Sequence, residues 1–168
     1  MPIHSYGWAP DLPDHCDFLF AAPVENLAPL PESADLRSNC PREVYDQGQL
    51  GSCTANAVGG ALEFEQMKQG LKSFTPSRLF IYYNERALEG TVGADSGAQI
   101  RDAVKTVGSV GACPEADWEY DISKFAPKPP QVPAYKDAPL GKAVFYQRVP
   151  QILNQMKGCL AFRQEKYT

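Results

Sequence analysis

The chain has 168 residues, 43% of them hydrophobic and 21% charged, which is a globular composition of about one domain and excludes a disordered or fibrous polypeptide. Sixteen Lys and Arg against 20 Asp and Glu give a net charge of −4, without the basic runs that a nucleic-acid partner requires. No stretch approaches the length of a membrane span, and the N-terminus lacks a basic region followed by an apolar core, so a membrane partner and classical export are not expected.

Residues 1–34 carry Pro2, Pro10, Pro13, Pro23, Pro29 and Pro31 and follow neither hydrophobic period, which predicts an extended arm. A helix is predicted from Cys53, with Ala57, Gly60, Ala61, Phe64 and Met67 at helical spacing, a small-residue face for close packing, and Gly70 as its stop. Thr75-Pro76 predicts the cap and first position of a second helix through SRLFIYYNERAL, whose tyrosines and arginine read as packing plus a wet outer face. A third helix is predicted after Asp95-Ser96, with Ile100, Ala103, Val104 and Val107 as its apolar stripe and Gly108 as its end. FAPKPPQVPAYKDAP reads as a proline-rich loop, AVFYQRV as a strand, and Ile152, Leu153, Met156 and Leu160 as a last short helix.

The chemistry concentrates in D-Q-G-Q-L-G-S-C-T-A-N-A, residues 46–57. Gly48, Gly51 and Ser52 leave room for a sharp turn and for a ligand's approach, and they deliver Cys53 to the start of a helix. Free N–H groups and the macrodipole there favour a thiolate, the nucleophilic form of cysteine. Acyl transfer also needs donors for the developing oxyanion, and the Cys53 N–H and the Gln47 side-chain amide are candidates for them. Gln47 alone reads as a surface amide in a turn; its role depends on its spacing from Cys53. Five cysteines, Cys16, Cys40, Cys53, Cys113 and Cys159, are an odd number without C-x-x-C spacing, so no disulfide framework or structural zinc site is expected and a reducing, cytoplasmic compartment is favoured. His15-Cys16 between Asp14 and Asp17 reads as a solvated loop rather than a metal site. No metal and no cofactor are proposed.

Q-G-Q-L-G-S-C-T-A resembles the active-site segment of papain-like cysteine peptidases, with Gln47, Gly51, Ser52, Cys53 and Ala55 in register. LPESADLRS resembles that family's mature N-terminus, DSGAQIRDAVK its groove-lining segment, GACPEADWEYD its G-x-x-x-E-x-x-W/Y-x-Y turn, and YGWAPDLPD the arm of bacterial members that lack the usual disulfides. The resemblance covers roughly residues 30–160. It implies an α+β chain with the papain-like fold: a propeptide-like arm over 1–30, the mainly helical domain over 31–160 and a divergent tail over 161–168, with the β-rich domain missing or only begun. It implies Cys53 as nucleophile, Gln47 as oxyanion donor, and Gly51, Ser52, Ser96 and Gly97 against a peptide or protein substrate. Without the resemblance, Ser96 reads as a plain helix cap. Leu50 and Thr54 depart from the family, which usually has a disulfide cysteine and a tryptophan there.

The family's base is a histidine about 130–150 residues after the cysteine. His4 and His15 both precede Cys53, so the expectation for these 168 residues alone is an incomplete, inactive peptidase that self-associates through the uncovered side of the cysteine helix (Ala57, Ala61, Phe64) and parts of QILNQMKGCLA. Two other readings stand beside it: a non-catalytic half-domain that binds peptides or a partner, and a truncated fragment without independent function.

Overall fold

The computed structural model describes residues 7–21, 30–125 and 132–161, so the tail beyond Ala161, the His4 region and parts of the arm and of the proline-rich segment lie outside the described residues. The chain divides into two compact units, one of Met1–Leu12 with Cys40–Phe145, the other of Pro13–Asn39 with Tyr146–Thr168.

The first unit is built on three helices: α1 (Cys53–Lys68), α2 (Arg78–Glu89) and α3 (Ile100–Ser109). Leu50, Ala55, Val58, Leu79, Ile81, Tyr82, Ala98, Ala103, Val107 and Ala112 form their common core. The buried side of α1 carries Thr54, Ala55, Val58, Gly59 and Gln66, whereas Ala57 and Ala61 are exposed and Phe64 is half-buried. The small-residue face picked out by periodicity is therefore the outer one. Two polar residues take inward places because each has a partner: Thr54 donates to Glu85 at 2.8 Å, and Gln66 Oε1 accepts from the Phe74 N–H at 3.2 Å.

α2 begins two residues later than Thr75-Pro76 predicts. Thr75 and Pro76 are extended against the 113–115 segment, with Ser77 N–H donating to Cys113 O at 2.8 Å and Glu115 N–H to Thr75 O at 2.8 Å. Ser77 is the cap, its hydroxyl accepting from Phe80 N–H at 3.2 Å, and Gly90 (φ 74°) closes the helix. The expected wet outer face is largely absent from α2: Arg78, Asn84, Glu85 and Arg86 are buried with its apolar residues. Arg86, 1% exposed, lies over the rings of Tyr82 and Phe125 and donates to the carbonyls of Tyr82, Val92 and Ala94. Arg78 is sandwiched by the rings of Tyr45 and Tyr120 and paired with Glu115 at 2.6 Å. Each charge is solvated by protein groups instead of water.

α3 starts at Ile100 rather than beside Ser96, with Gln99 at the cap position. Part of the expected proline loop is helical: α4 (Val132–Asp137) and a 3-10 turn over Ala138–Gly141 bury Ala134 and Ala138 with Phe80 and Cys113. Pro133 sits in the first turn of α4, where its missing N–H costs no helical bond. The arm contributes β1 (Trp8–Ala9), parallel to β2 (Ala98–Gln99) with Trp8 opposite Ala98.

In the second unit the chain at Phe18–Phe20 brackets Arg148, whose N–H donates to Phe18 O at 2.8 Å and whose carbonyl accepts from Phe20 N–H at 2.9 Å. Among the described residues this single bridge is the strand character that AVFYQRV attains, since a strand needs a neighbour along its length. α5 (Leu153–Ala161) follows with Ile152, Leu153, Met156 and Leu160 exposed. No helix among the described residues is long and apolar enough to cross a membrane.

Candidate active site

The turn before α1 is fixed from several sides. Gln47 folds back so that its side-chain Nε2 donates to Leu50 O at 3.1 Å, while its backbone carbonyl accepts from Leu50 N–H at 3.4 Å and from the Tyr120 hydroxyl at 3.0 Å. The same hydroxyl pairs with Ser52 Oγ at 2.5 Å. Ser52 Oγ also accepts from Asn56 Nδ2 at 3.0 Å, and Ser52 makes no side-chain cap to the helix. A serine that would ordinarily occupy an end N–H of α1 is thus turned away from it. Cys53, the first residue of α1, is half-buried and carries a free thiol.

Gly51 and Gly97 are drawn toward each other. Gly51 N–H donates to both oxygens of Asp95 at 3.0 Å, and the buried Gly97 N–H donates to the Tyr82 hydroxyl at 3.0 Å. Ser96 does not cap a helix; its hydroxyl pairs with the Thr91 hydroxyl at 2.9 Å and with Gly97 O at 3.0 Å. The arm runs across this place: Ala98 N–H donates to Gly7 O at 2.7 Å. A Cβ on Gly7 would lie 1.6 Å from Gly51 O, and one on Gly97, whose φ is +70°, would lie 2.1 Å from Gly7 O, so both positions require glycine. Cys53, Gln47, Gly51 and Ser52 therefore share one turn, and Ser96 and Gly97 share the segment facing the arm. Sequence reasoning missed Asp95, Tyr82 and Tyr120 as supports; Tyr120 ends the GACPEADWEYD match, but nothing in the pattern indicated where its hydroxyl reaches.

Behind Cys53, Glu85 is wholly buried, with Oε1 taken by Thr54 and Oε2 without a partner among the described residues. Burial pushes its carboxyl up to about 8; the Thr54 hydrogen bond and Arg86 oppose this, and Glu89 and Asp102 add to it. In this environment the folded state holds the Glu85 proton more tightly than the unfolded chain, whose glutamate titrates near 4.5. The favourable contribution is complete below pH 4.5 and is lost as pH rises to about 8. Glu85→Gln, which keeps the Oε1 acceptor, is expected to flatten this decline and to gain roughly 3–5 kcal/mol over the wild type at pH 8.5 but little at pH 4.5. Urea denaturation at the two pH values measures it; parallel pH dependence in both proteins would show that Glu85 stays ionised. Cys113 is buried, its thiol pushed up to about 12 mainly by burial and secondarily by Asp117, which makes it a packing group rather than a nucleophile.

No protein-family model matches the chain. An uncharacterized peptidase C1-like protein of Acanthamoeba polyphaga mimivirus is 53% identical over 105 residues, which are 62% of this chain and 33% of that protein. The crystal structure of Xylellain, a cysteine protease from Xylella fastidiosa, matches with a TM-score of 0.84 and 44% identity, over 93% of this chain and 62% of that one. The chain spans about a third of the viral protein and less than two thirds of the bacterial protease. Over the part of the Xylella protease that it spans, the chain has the papain-like cysteine-protease fold, in its mainly helical portion.

Proposed function

We propose that this chain carries the nucleophile and the oxyanion donors of a cysteine peptidase acting on peptide or protein substrates. The observation that carries the reading is the placement of Cys53 at the open start of α1, behind a turn held by Gln47, Tyr120 and Asp95. The 44% identity to a cysteine protease supports it. In the proposed reaction the Cys53 thiolate attacks the scissile carbonyl carbon. A C–S bond forms, and the carbonyl electron pair moves to oxygen, facing the Cys53 N–H and the Gln47 N–H that Leu50 leaves unused. Collapse of this intermediate expels the amine, which takes a proton from an imidazolium; water then hydrolyses the thioester. The histidine required, about 130–150 residues beyond the cysteine in this class, falls past residue 168. The test is turnover of a fluorogenic peptide by this chain joined to the remaining part of the Xylella protease. No turnover by a folded hybrid, or turnover that survives loss of Cys53, would refute the assignment.

The arm is proposed to act as a propeptide-like cover, supported by the contact of Gly7 with Gly51 and Ala98. Gly7→Val cannot keep that contact, because its Cβ would overlap Gly51 O. The hybrid with this change is expected to bind peptide at least about tenfold more tightly, a release of 1.4 kcal/mol of competition. An unchanged KM would mean that the arm does not compete with substrate.

A further inference from the structure

Asp95 is solvent-exposed, yet its carboxylate is fully engaged. Both oxygens accept from the Gly51 N–H at 3.0 Å, and Oδ1 accepts from the buried Tyr82 hydroxyl at 2.5 Å. That hydroxyl in turn accepts from the Gly97 N–H at 3.0 Å. Two segments more than 40 residues apart in sequence, the turn entering Cys53 and the segment paired with the arm, are thereby joined through one carboxylate and one phenol. Arg86 secures the loop from its other side through the carbonyls of Val92 and Ala94.

We propose that Asp95 is a positioning residue: its carboxylate clasps the Leu50–Ser52 turn to the Ser96–Ala98 segment, so that the nucleophile and the peptide-binding edge hold one relative placement. The inference rests on the reading of Cys53 as nucleophile. The chemistry requires an acceptor at this position, since a backbone N–H and a phenolic hydroxyl converge on it, and a charged acceptor satisfies two donors at once. Leu50 and Gly51, both buried, offer no side chain that could do the same. A displacement of about 1 Å in such a support costs on the order of 10² in rate.

The test has two arms. On the 168-residue chain itself, Asp95→Ala is expected to speed hydrogen exchange at the Gly51 and Gly97 amides at least about tenfold. Tyr82→Phe should speed exchange at Gly97 but not at Gly51, and Asp95→Asn, which keeps Oδ1, should stay within about threefold of the wild type. In the hybrid, Asp95→Ala is expected to lower kcat/KM about 10²-fold at temperatures well below its melting point, with Asp95→Asn restoring most of it. Unchanged exchange in Asp95→Ala would overturn the clasp, as would a loss of thermal stability with kcat/KM unaltered. A folded hybrid that never turns over would sink the peptidase reading alone, because the exchange measurements still decide the clasp. If Asp95→Ala does not fold, Asp95→Ser, whose shorter side chain cannot reach both donors, decides it in the same way through exchange at the Gly51 amide.

Discussion

Cys53→Ala in the hybrid peptidase is expected to remove turnover almost completely, lowering kcat/KM by roughly 10⁴–10⁶. In the proposed mechanism Cys53 supplies the atom that bonds to the substrate carbon, and neither the turn nor the proposed oxyanion donors can replace it; they would leave only the residual acceleration that binding and charge stabilisation provide. Cys113 and Cys40 cannot substitute. Cys113 is buried and kept as a thiol by its surroundings, and Cys40 lies outside the turn that Gln47, Tyr120 and Asp95 hold together. Cys53→Ser is expected to fall in the same range, because an alkoxide forms far less readily than a thiolate. Both variants should keep the fold, since the Cys53 side chain is half-buried while Thr54 and Ala55 next to it fill the core. The check is steady-state cleavage of a fluorogenic peptide beside circular dichroism. A well-folded Cys53→Ala protein retaining more than about a hundredth of wild-type activity would displace the nucleophile to another residue.

Gln47→Ala is the second large expected effect, a fall of about 10²–10³ in kcat with KM little altered. The asymmetry follows from where the charge appears: the ground-state carbonyl binds weakly, while the tetrahedral oxyanion needs the amide donor. Leu50 O takes one N–H of the Gln47 amide at 3.1 Å and leaves the other for the proposed donor role. Gln47→Glu keeps the length but brings a carboxylate toward a developing anion, and should be at least as damaging. Michaelis parameters for the three proteins distinguish the outcomes. A rise in KM with kcat unchanged would make Gln47 a substrate contact, and no change would remove it from the mechanism.

The placement of Cys53 at a helix start was legible before the fold because it is local. Gly51, Ser52 and Cys53 follow one another, Gln47 is one turn away, and a helix start is a short-range property of the chain. The same holds for Gly70, whose positive φ ends α1. Periodicity misjudged what depends on partners. It gave no sign that Thr54 and Gln66 lie buried in α1, where Glu85 and the Phe74 N–H meet them, although Ala57 and Ala61 are exposed as expected of the helix's uncovered side. It gave α2 a wet face, whereas Arg78 and Arg86 are buried between aromatic rings and acceptors brought from residues 45 to 125. It made a strand of AVFYQRV, although a strand needs a neighbour along its length, and among the described residues the segment forms a single bridge, between Arg148 and Leu19. The sequence by itself determined the local setting of Cys53, a turn leading into a helix, since that rests on backbone conformation over a dozen residues. Only the tertiary structure decided what holds the setting in place, because the Asp95, Tyr82 and Tyr120 hydrogen bonds join segments 13 to 73 residues apart, and no local pattern encodes such distances.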